Sequence, residues 1–175
     1  MLFRSPVLKS TFERRDSLHS DVSDNSIFWR DHVAMWVKDI RRTLDYLTTR
    51  PDADTTKFAY FGYSWGSNMA PLNLAVEPRF KAAVLYVAGL TMEGTRPEVD
   101  PFNYLPHVTQ PTLMLNGRYD YFFPVEIAQR PFFQNLGTPA PQKLWKIYDG
   151  GHDVPRTELI GETLKWFDKY LGPVR

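Results

Sequence analysis

The sequence of 175 residues contains no cysteine, no marked excess of charge of one sign and no long apolar run. Without cysteine there is no disulfide, no thiolate metal ligand and no cysteine nucleophile, and the composition suits a reducing compartment such as the cytoplasm. Twenty-one Lys and Arg residues against twenty Asp and Glu residues give a net charge of +1. This balance gives no electrostatic reason to expect a nucleic acid partner.

The longest apolar run extends from Ala82 to Leu90. It is much shorter than the roughly 20 residues needed to cross a bilayer, and it lies far from the N-terminus, where a secretory signal is found. We therefore expect a soluble cytoplasmic protein with no export signal and no membrane partner.

Aromatic residues are abundant at 15% of the chain, enough to line an apolar pocket as well as a core. Residues 1–26 are polar and without periodicity, which predicts an irregular arm over residues 1–28. From Trp29 onward, apolar residues recur at three- and four-residue steps, which predicts an amphipathic helix that ends near Arg50-Pro51. We expect one domain over residues 29–175.

Four short apolar runs, each bounded by Gly, Pro or Asp, predict buried strands: residues 57–63, 81–88, 111–116 and 143–148. Helix-length segments separate them, including 125–135, and a last helix is predicted over 157–171. Alternating strands and helices predict an α/β fold with a mainly parallel sheet of about four strands flanked by helices.

The sequence Gly62-Tyr63-Ser64-Trp65-Gly66 follows the first predicted strand. A G-x-S-x-G sequence between a strand and a helix is typical of a sharp, strained turn that exposes a nucleophilic serine, with small neighbours that let the helix pack on the strand. The predicted helix over residues 67–77 contains Pro71, which we expect to kink it. The alternative is a glycine-rich turn with a surface serine.

A serine hydroxyl is a poor nucleophile until a base takes its proton, so the motif requires a histidine. His152 follows the last strand and two glycines, at the carboxyl edge of the sheet where ligand sites of α/β proteins lie. The remaining histidines, His19, His32 and His107, are expected to be surface or capping residues.

Asp120 follows the third strand at the same edge and is the candidate acid that orients His152. Its alternative roles are a helix cap or an ion pair with Arg118. Asp100, after the second strand, is the second candidate for the acid.

These motifs and their order along the chain resemble the α/β-hydrolase superfamily, specifically its dienelactone hydrolase and prolyl oligopeptidase-like branch. The sequence is most similar to hydrolase domains fused to bacterial serine/threonine kinases. The resemblance covers about residues 30–174 and rests on residues 38–47, 50–52, 61–66, 77–80, 99–101, 115–120, 123–124, 136–139, 150–152 and 171–174.

The resemblance implies a serine carboxylesterase that hydrolyses short-chain esters through an acyl-enzyme, with Ser64 as nucleophile, His152 as base and Asp120 as orienting acid. The backbone N–H of Trp65 would contribute to the oxyanion hole, and its second donor is not identified. No metal or other cofactor is expected. Four aromatic residues are expected to line the substrate pocket: Tyr63, Trp65, Tyr121 and Phe122.

The resemblance also implies an N-terminally truncated fold, because no strand or His-Gly-Gly sequence of the family's usual kind precedes Ser64. An exposed sheet edge would result, which we expect the arm or a second copy of the chain to cover, giving a homodimer. Two other functions remain open: a peptidase of the prolyl oligopeptidase type, and a truncated hydrolase module with weak or no catalysis.

Overall fold

A computed structural model describes residues 4–173, which form two compact units. The first unit contains the chain up to Thr55 together with Glu93–Asp100. The second contains Thr56–Met92 and the chain from Pro101 onward.

The first unit consists mainly of the arm and one long helix. The arm is irregular apart from a 3-10 turn at Phe12–Arg14, and helix α1 runs from Ile27 to Leu47. The helix begins earlier than predicted because Ser26 Oγ accepts a hydrogen bond from the Trp29 N–H at 2.9 Å and caps the first turn. One face of α1 is buried, and it includes Trp29, Val33, Trp36 and Leu44.

The second unit is built on a parallel sheet of four strands in the order β1-β2-β3-β4. The strands are β1 (Phe58–Tyr63), β2 (Phe80–Tyr86), β3 (Thr112–Gly117) and β4 (Lys143–Tyr148). The predicted fold class, a parallel α/β sheet flanked by helices, is confirmed. Every strand therefore ends at the same edge of the sheet, which brings the loops after β1, β3 and β4 together.

The helices of the second unit are α2 (Trp65–Asn68), α3 (Ala70–Val76), α4 (Pro101–Tyr104), α5 (Arg130–Asn135) and α6 (Arg156–Leu171). The segment after Ser64 is divided at Met69, just before Pro71, where the sequence predicted a kink. A π-helical turn, Val125–Gln129, precedes α5. The helix predicted over 125–135 is thus present, but its first half has π geometry.

The core of the second unit lies between the sheet and α6. It contains small and branched side chains of β2 and β3 packed against two aromatic residues of α6: Ala82, Val84, Leu113, Leu115, Val154, Trp166 and Phe167. Burial of these side chains fixes the sheet on which the loops are mounted.

Within residues 4–173, β1 pairs only with β2, so β1 is an edge strand. Coverage of this edge by the arm or by a second copy stays a prediction, which a measurement of molar mass in solution tests. None of the helices in the described part of the chain is both long and apolar enough to cross a membrane.

Candidate active site

Ser64 stands at the sharp turn between β1 and α2. Its backbone has φ +49° and ψ −110°, a conformation that costs energy for a residue with a Cβ. The turn is held because the Ser64 N–H donates to the Tyr86 carbonyl at 2.9 Å, and the Ser64 carbonyl accepts from the N–H groups of Ser67 and Asn68, each at 2.9 Å. The strained strand-to-helix turn predicted from the motif is present.

The two glycines of the motif differ in how closely they are packed. A Cβ on Gly62 would lie 2.8 Å from backbone atoms of Gly66 and Ser67, whereas a Cβ on Gly66 would point into open space. Of these two positions, only position 62 therefore requires a residue without a side chain. The Gly66 carbonyl accepts a hydrogen bond from the Tyr60 hydroxyl at 2.7 Å, and burial raises the pKa of Tyr60, so this hydroxyl keeps its proton.

His152 lies in the loop after β4, and its Nε2 is 2.7 Å from Ser64 Oγ. The loop comes close to the end of β3 because position 117 is glycine: a Cβ there would collide with the Gly151 carbonyl oxygen. The Tyr119 N–H also donates to the Gly150 carbonyl at 2.8 Å. These contacts join the loops after β3 and β4.

Asp120 is 3% exposed and uses both carboxylate oxygens. Oδ2 lies 2.8 Å from His152 Nδ1, while Oδ1 accepts the backbone N–H groups of Phe122 and Phe123 at 2.9 and 3.0 Å. Asp120 thus caps its own turn and also contacts His152. Arg118, the other partner considered for it, pairs with Asp149 at 3.0 Å.

Of the other histidines, His19 and His107 are exposed, as predicted. The prediction for His32 was wrong: in the first unit its side chain is 3% exposed, with Nδ1 2.7 Å from the Phe28 carbonyl and Nε2 2.8 Å from Asp16 Oδ2. His32 is buried because it lies on the buried face of α1 and the arm supplies it with a carboxylate.

Aromatic side chains surround His152. The ring of Phe122 lies 4.8 Å from the imidazole between centroids, that of Tyr63 lies at 6.2 Å, and Tyr121 stacks on Phe122 at 4.2 Å. Tyr63, Phe122 and Tyr121 are 54%, 56% and 75% exposed, and Trp65 is half-buried. Phe123, in contrast, is a core residue.

Two residues near the site were missed by sequence reasoning. The Tyr86 hydroxyl at the end of β2 accepts the Val154 N–H at 3.4 Å, two residues beyond His152. The sequence signal that could have identified Tyr86 is a hydroxyl-bearing side chain at the end of an otherwise apolar strand. Gln129 contacts the loop of Asp120 from inside the π-helical turn, and no sequence pattern pointed to it.

Within residues 4–173, no cluster of three or more His, Asp or Glu side chains has an arrangement that could hold a metal ion.

A parallel sheet with a strained serine turn after one strand, and aspartate and histidine loops at the carboxyl ends of two others, defines the α/β-hydrolase fold. The sequence profile of the dienelactone hydrolase family matches residues 15–150, well over half of the chain. The chain belongs to the dienelactone hydrolase family. A comparison with curated proteins finds no match.

Solved structures share the fold. A cold-adapted esterase from an Arctic intertidal metagenomic library superposes with a TM-score of 0.68 at 24% identity, over 82% of this chain and 62% of that one. An acetyl xylan esterase from Paenibacillus sp. R4 gives 0.62 at 18% identity, over 81% and 53%. An acylaminoacyl peptidase from Pyrococcus horikoshii gives 0.60 at 17% identity, over 82% and 28%. The chain spans less than two thirds of the length of each.

Proposed function

We propose that this protein is a serine carboxylesterase that hydrolyses small esters through an acyl-enzyme. The observation that supports the proposal best is the continuous chain of hydrogen bonds from Ser64 Oγ to His152 Nε2 at 2.7 Å, and from His152 Nδ1 to Asp120 Oδ2 at 2.8 Å. A serine, a histidine and a carboxylate in this sequence of contacts are the groups that activate a hydroxyl for acyl transfer.

In the first half of the reaction, Ser64 Oγ forms a bond to the carbonyl carbon of the ester while its proton passes to His152 Nε2. The resulting imidazolium is stabilised by Asp120, which accepts the Nδ1–H. The carbon–oxygen bond to the alcohol then breaks, and the alcohol leaves with the proton from Nε2. Ser64 is left as an acyl ester.

Water completes the cycle. It attacks the acyl carbon and gives a proton to His152 Nε2, and the bond from carbon to Ser64 Oγ breaks as the proton returns to that oxygen. The carboxylic acid is released, and the side chains regain their starting protonation.

The negative charge on the carbonyl oxygen requires backbone donors close to the nucleophile. We assign one donor to the N–H of Trp65, because this residue directly follows Ser64 and begins α2. The strained turn at Ser64 supports this assignment, since in such turns the following N–H faces the side of the nucleophile.

We assign the substrate surface to Tyr63, Trp65, Tyr121 and Phe122. The rings of Tyr63 and Phe122 lie beside the imidazole, and both are more than half exposed. An open aromatic surface favours small acyl groups, which need no deep enclosure to be desolvated. Rates are therefore expected to fall from acetate to butyrate to longer acyl chains.

The test is hydrolysis of p-nitrophenyl acetate by the wild type and by Ser64→Ala, with p-nitroacetanilide as the amide counterpart. We expect the wild type to cleave the ester and Ser64→Ala to lose this activity by roughly 10⁴-fold or more. Equal rates for the two proteins would exclude Ser64 as nucleophile.

A fluorophosphonate probe gives an independent measurement, because it labels an activated serine without turnover. The wild type should be labelled at Ser64, and the control Ser17→Ala, which removes an exposed hydroxyl of the arm, should be labelled at Ser64 equally well. Comparable cleavage of the anilide would favour a peptidase instead of an esterase.

A further inference from the structure

Gln129 is a fully buried amide whose hydrogen bonds reach both ends of one loop. It is 0% exposed, and its Nε2 donates to the Gly117 carbonyl at 3.0 Å and to the Phe123 carbonyl at 2.7 Å. An amide nitrogen has two protons, so these two bonds use both of them. Since both partners are carbonyl oxygens, the nitrogen and not the oxygen of the amide must face them.

The loop between those two carbonyls contains Asp120. Gly117 is the last residue of β3, and Phe123 follows Asp120 closely enough that its N–H donates to Asp120 Oδ1 at 3.0 Å. Phe123 is therefore held at its N–H by Asp120 and at its carbonyl by Gln129. The position of Asp120 Oδ2 relative to His152 depends on this loop geometry.

The π-helical turn explains why Gln129 faces the loop. Both Ala128 and Gln129 donate their N–H groups to the Pro124 carbonyl, at 2.9 and 3.3 Å, so the turn contains one residue more than an α-helical turn. Pro131 would clash with the carbonyl four residues before it in a regular helix, and a widened turn relieves that clash. The extra residue turns Gln129 toward the end of β3.

We propose that Gln129 is a positioning residue that acts through Asp120, holding the 117–123 loop so that Oδ2 accepts the proton of His152 Nδ1. This inference rests on the proposed function for its effect on turnover, because Asp120 has a role in catalysis only if the esterase proposal is correct. The effect of Gln129 on the hydrogen bond between Asp120 and His152 does not depend on the proposed function.

The experiment compares Gln129→Met with Asn135→Leu. Methionine has a similar volume but no donor, so the carbonyls of Gly117 and Phe123 lose their partner. Asn135 is a matched control because it also donates its amide to a backbone carbonyl, that of Pro131 at 2.8 Å, and is exposed in the neighbouring helix α5.

The first readout is the low-field proton NMR signal of the His152 Nδ1–H, which needs no turnover. We expect Gln129→Met to shift or broaden this signal and Asn135→Leu to leave it unchanged. The second readout is kcat/KM for p-nitrophenyl acetate, which should fall roughly tenfold to a hundredfold in Gln129→Met, mostly in kcat. Combined with Asp120→Asn, Gln129→Met should cause no further loss.

If Gln129→Met does not fold, Gln129→Asn replaces it, because its amide is one methylene too short to reach both carbonyls and should give the same changes. An unchanged NMR signal in a folded variant overturns the inference, as does a loss of activity that adds to that of Asp120→Asn. Absence of the signal from the wild type overturns it as well. An altered signal in a protein without esterase activity would leave the inference standing and refute the proposed function.

Discussion

Each of the two units contains a histidine paired with an aspartate at the same distance. In the first unit His32 Nε2 lies 2.8 Å from Asp16, and in the second unit His152 Nδ1 lies 2.8 Å from Asp120. The other nitrogen of each ring has a partner at 2.7 Å. The partner of His32 is the Phe28 carbonyl, and the partner of His152 is the Ser64 hydroxyl.

This one difference decides what each ring can do. A carbonyl only accepts, so both bonds of His32 form together only when both nitrogens carry a proton. Hydrogen bonds from Lys9, the larger cause, and from His32 hold the pKa of Asp16 well below its usual range. Asp16 therefore stays an anion, which accepts hydrogen bonds. A hydroxyl can donate, so His152 can be neutral and accept the Ser64 proton. The third group, and not the pair itself, separates a structural histidine from a candidate base.

The largest expected effect is the difference in kcat between replacing Asp120 and replacing Asp16. Asp120→Asn should lower kcat for p-nitrophenyl acetate by about 10⁴ because an amide no longer selects the correct imidazole tautomer. Asp16→Asn should keep a kcat close to the wild-type value, because its bonds lie within the arm and α1. Similar losses of kcat in the two variants would refute the distinction.

The contact between the loops after β3 and β4 can be disrupted without changing Ser64, Asp120 or His152. Gly117→Ala places a Cβ against the Gly151 carbonyl and should displace His152, lowering kcat roughly a hundredfold. Gly161→Ala is the control: a Cβ at that position of α6 meets nothing within 4 Å. Wild-type kcat in Gly117→Ala would mean that the loop adjusts without moving the imidazole.

His32→Leu should reduce the stability of the protein without a direct effect on chemistry. The Phe28 carbonyl loses the hydrogen bond from the buried His32 side chain, and a typical hydrogen bond contributes about 0.5–1.5 kcal/mol net to stability. Urea unfolding measures the change, with His19→Gln at an exposed position as control. If His32→Leu is as stable as the wild type, the bonds of His32 contribute nothing net.

The smallest expected effect is a change in the stability of the protein at acidic pH. Because the pKa of Asp16 is lower in the folded protein, ionised Asp16 stabilises the fold above its unfolded-state pKa of about 3.9, and this contribution is lost as the pH falls further. The stability difference between wild type and Asp16→Asn should therefore be largest near neutral pH and shrink in acid. Thermal unfolding followed from pH 7 to pH 3 measures it, and a difference that grows in acid would contradict the assignment.

The four strands and the contacts of Ser64 and Asp120 with His152 could be predicted, because each rests on a simple signal in the sequence. Each strand is a short apolar run, Ser64 lies in a recognisable motif, and parallel strands bring residues that follow them to one edge. The burial of His32 could not be predicted, because its partner Asp16 lies in an arm without periodicity. The π-helical turn was not predicted, because one additional residue leaves the apolar pattern nearly unchanged. The inward direction of Gln129 depends on that turn and was not predicted either.

Ser64 and His152 are 88 residues apart in the chain, and they follow strands at opposite edges of the sheet. During synthesis the serine leaves the ribosome well before the histidine exists. In refolding, contacts between residues distant in sequence form late, because long loops must close first. We therefore expect the bond between Ser64 and His152 to form only after all four strands are ordered, so that recovery of fluorophosphonate labelling during refolding reports completion of the whole sheet.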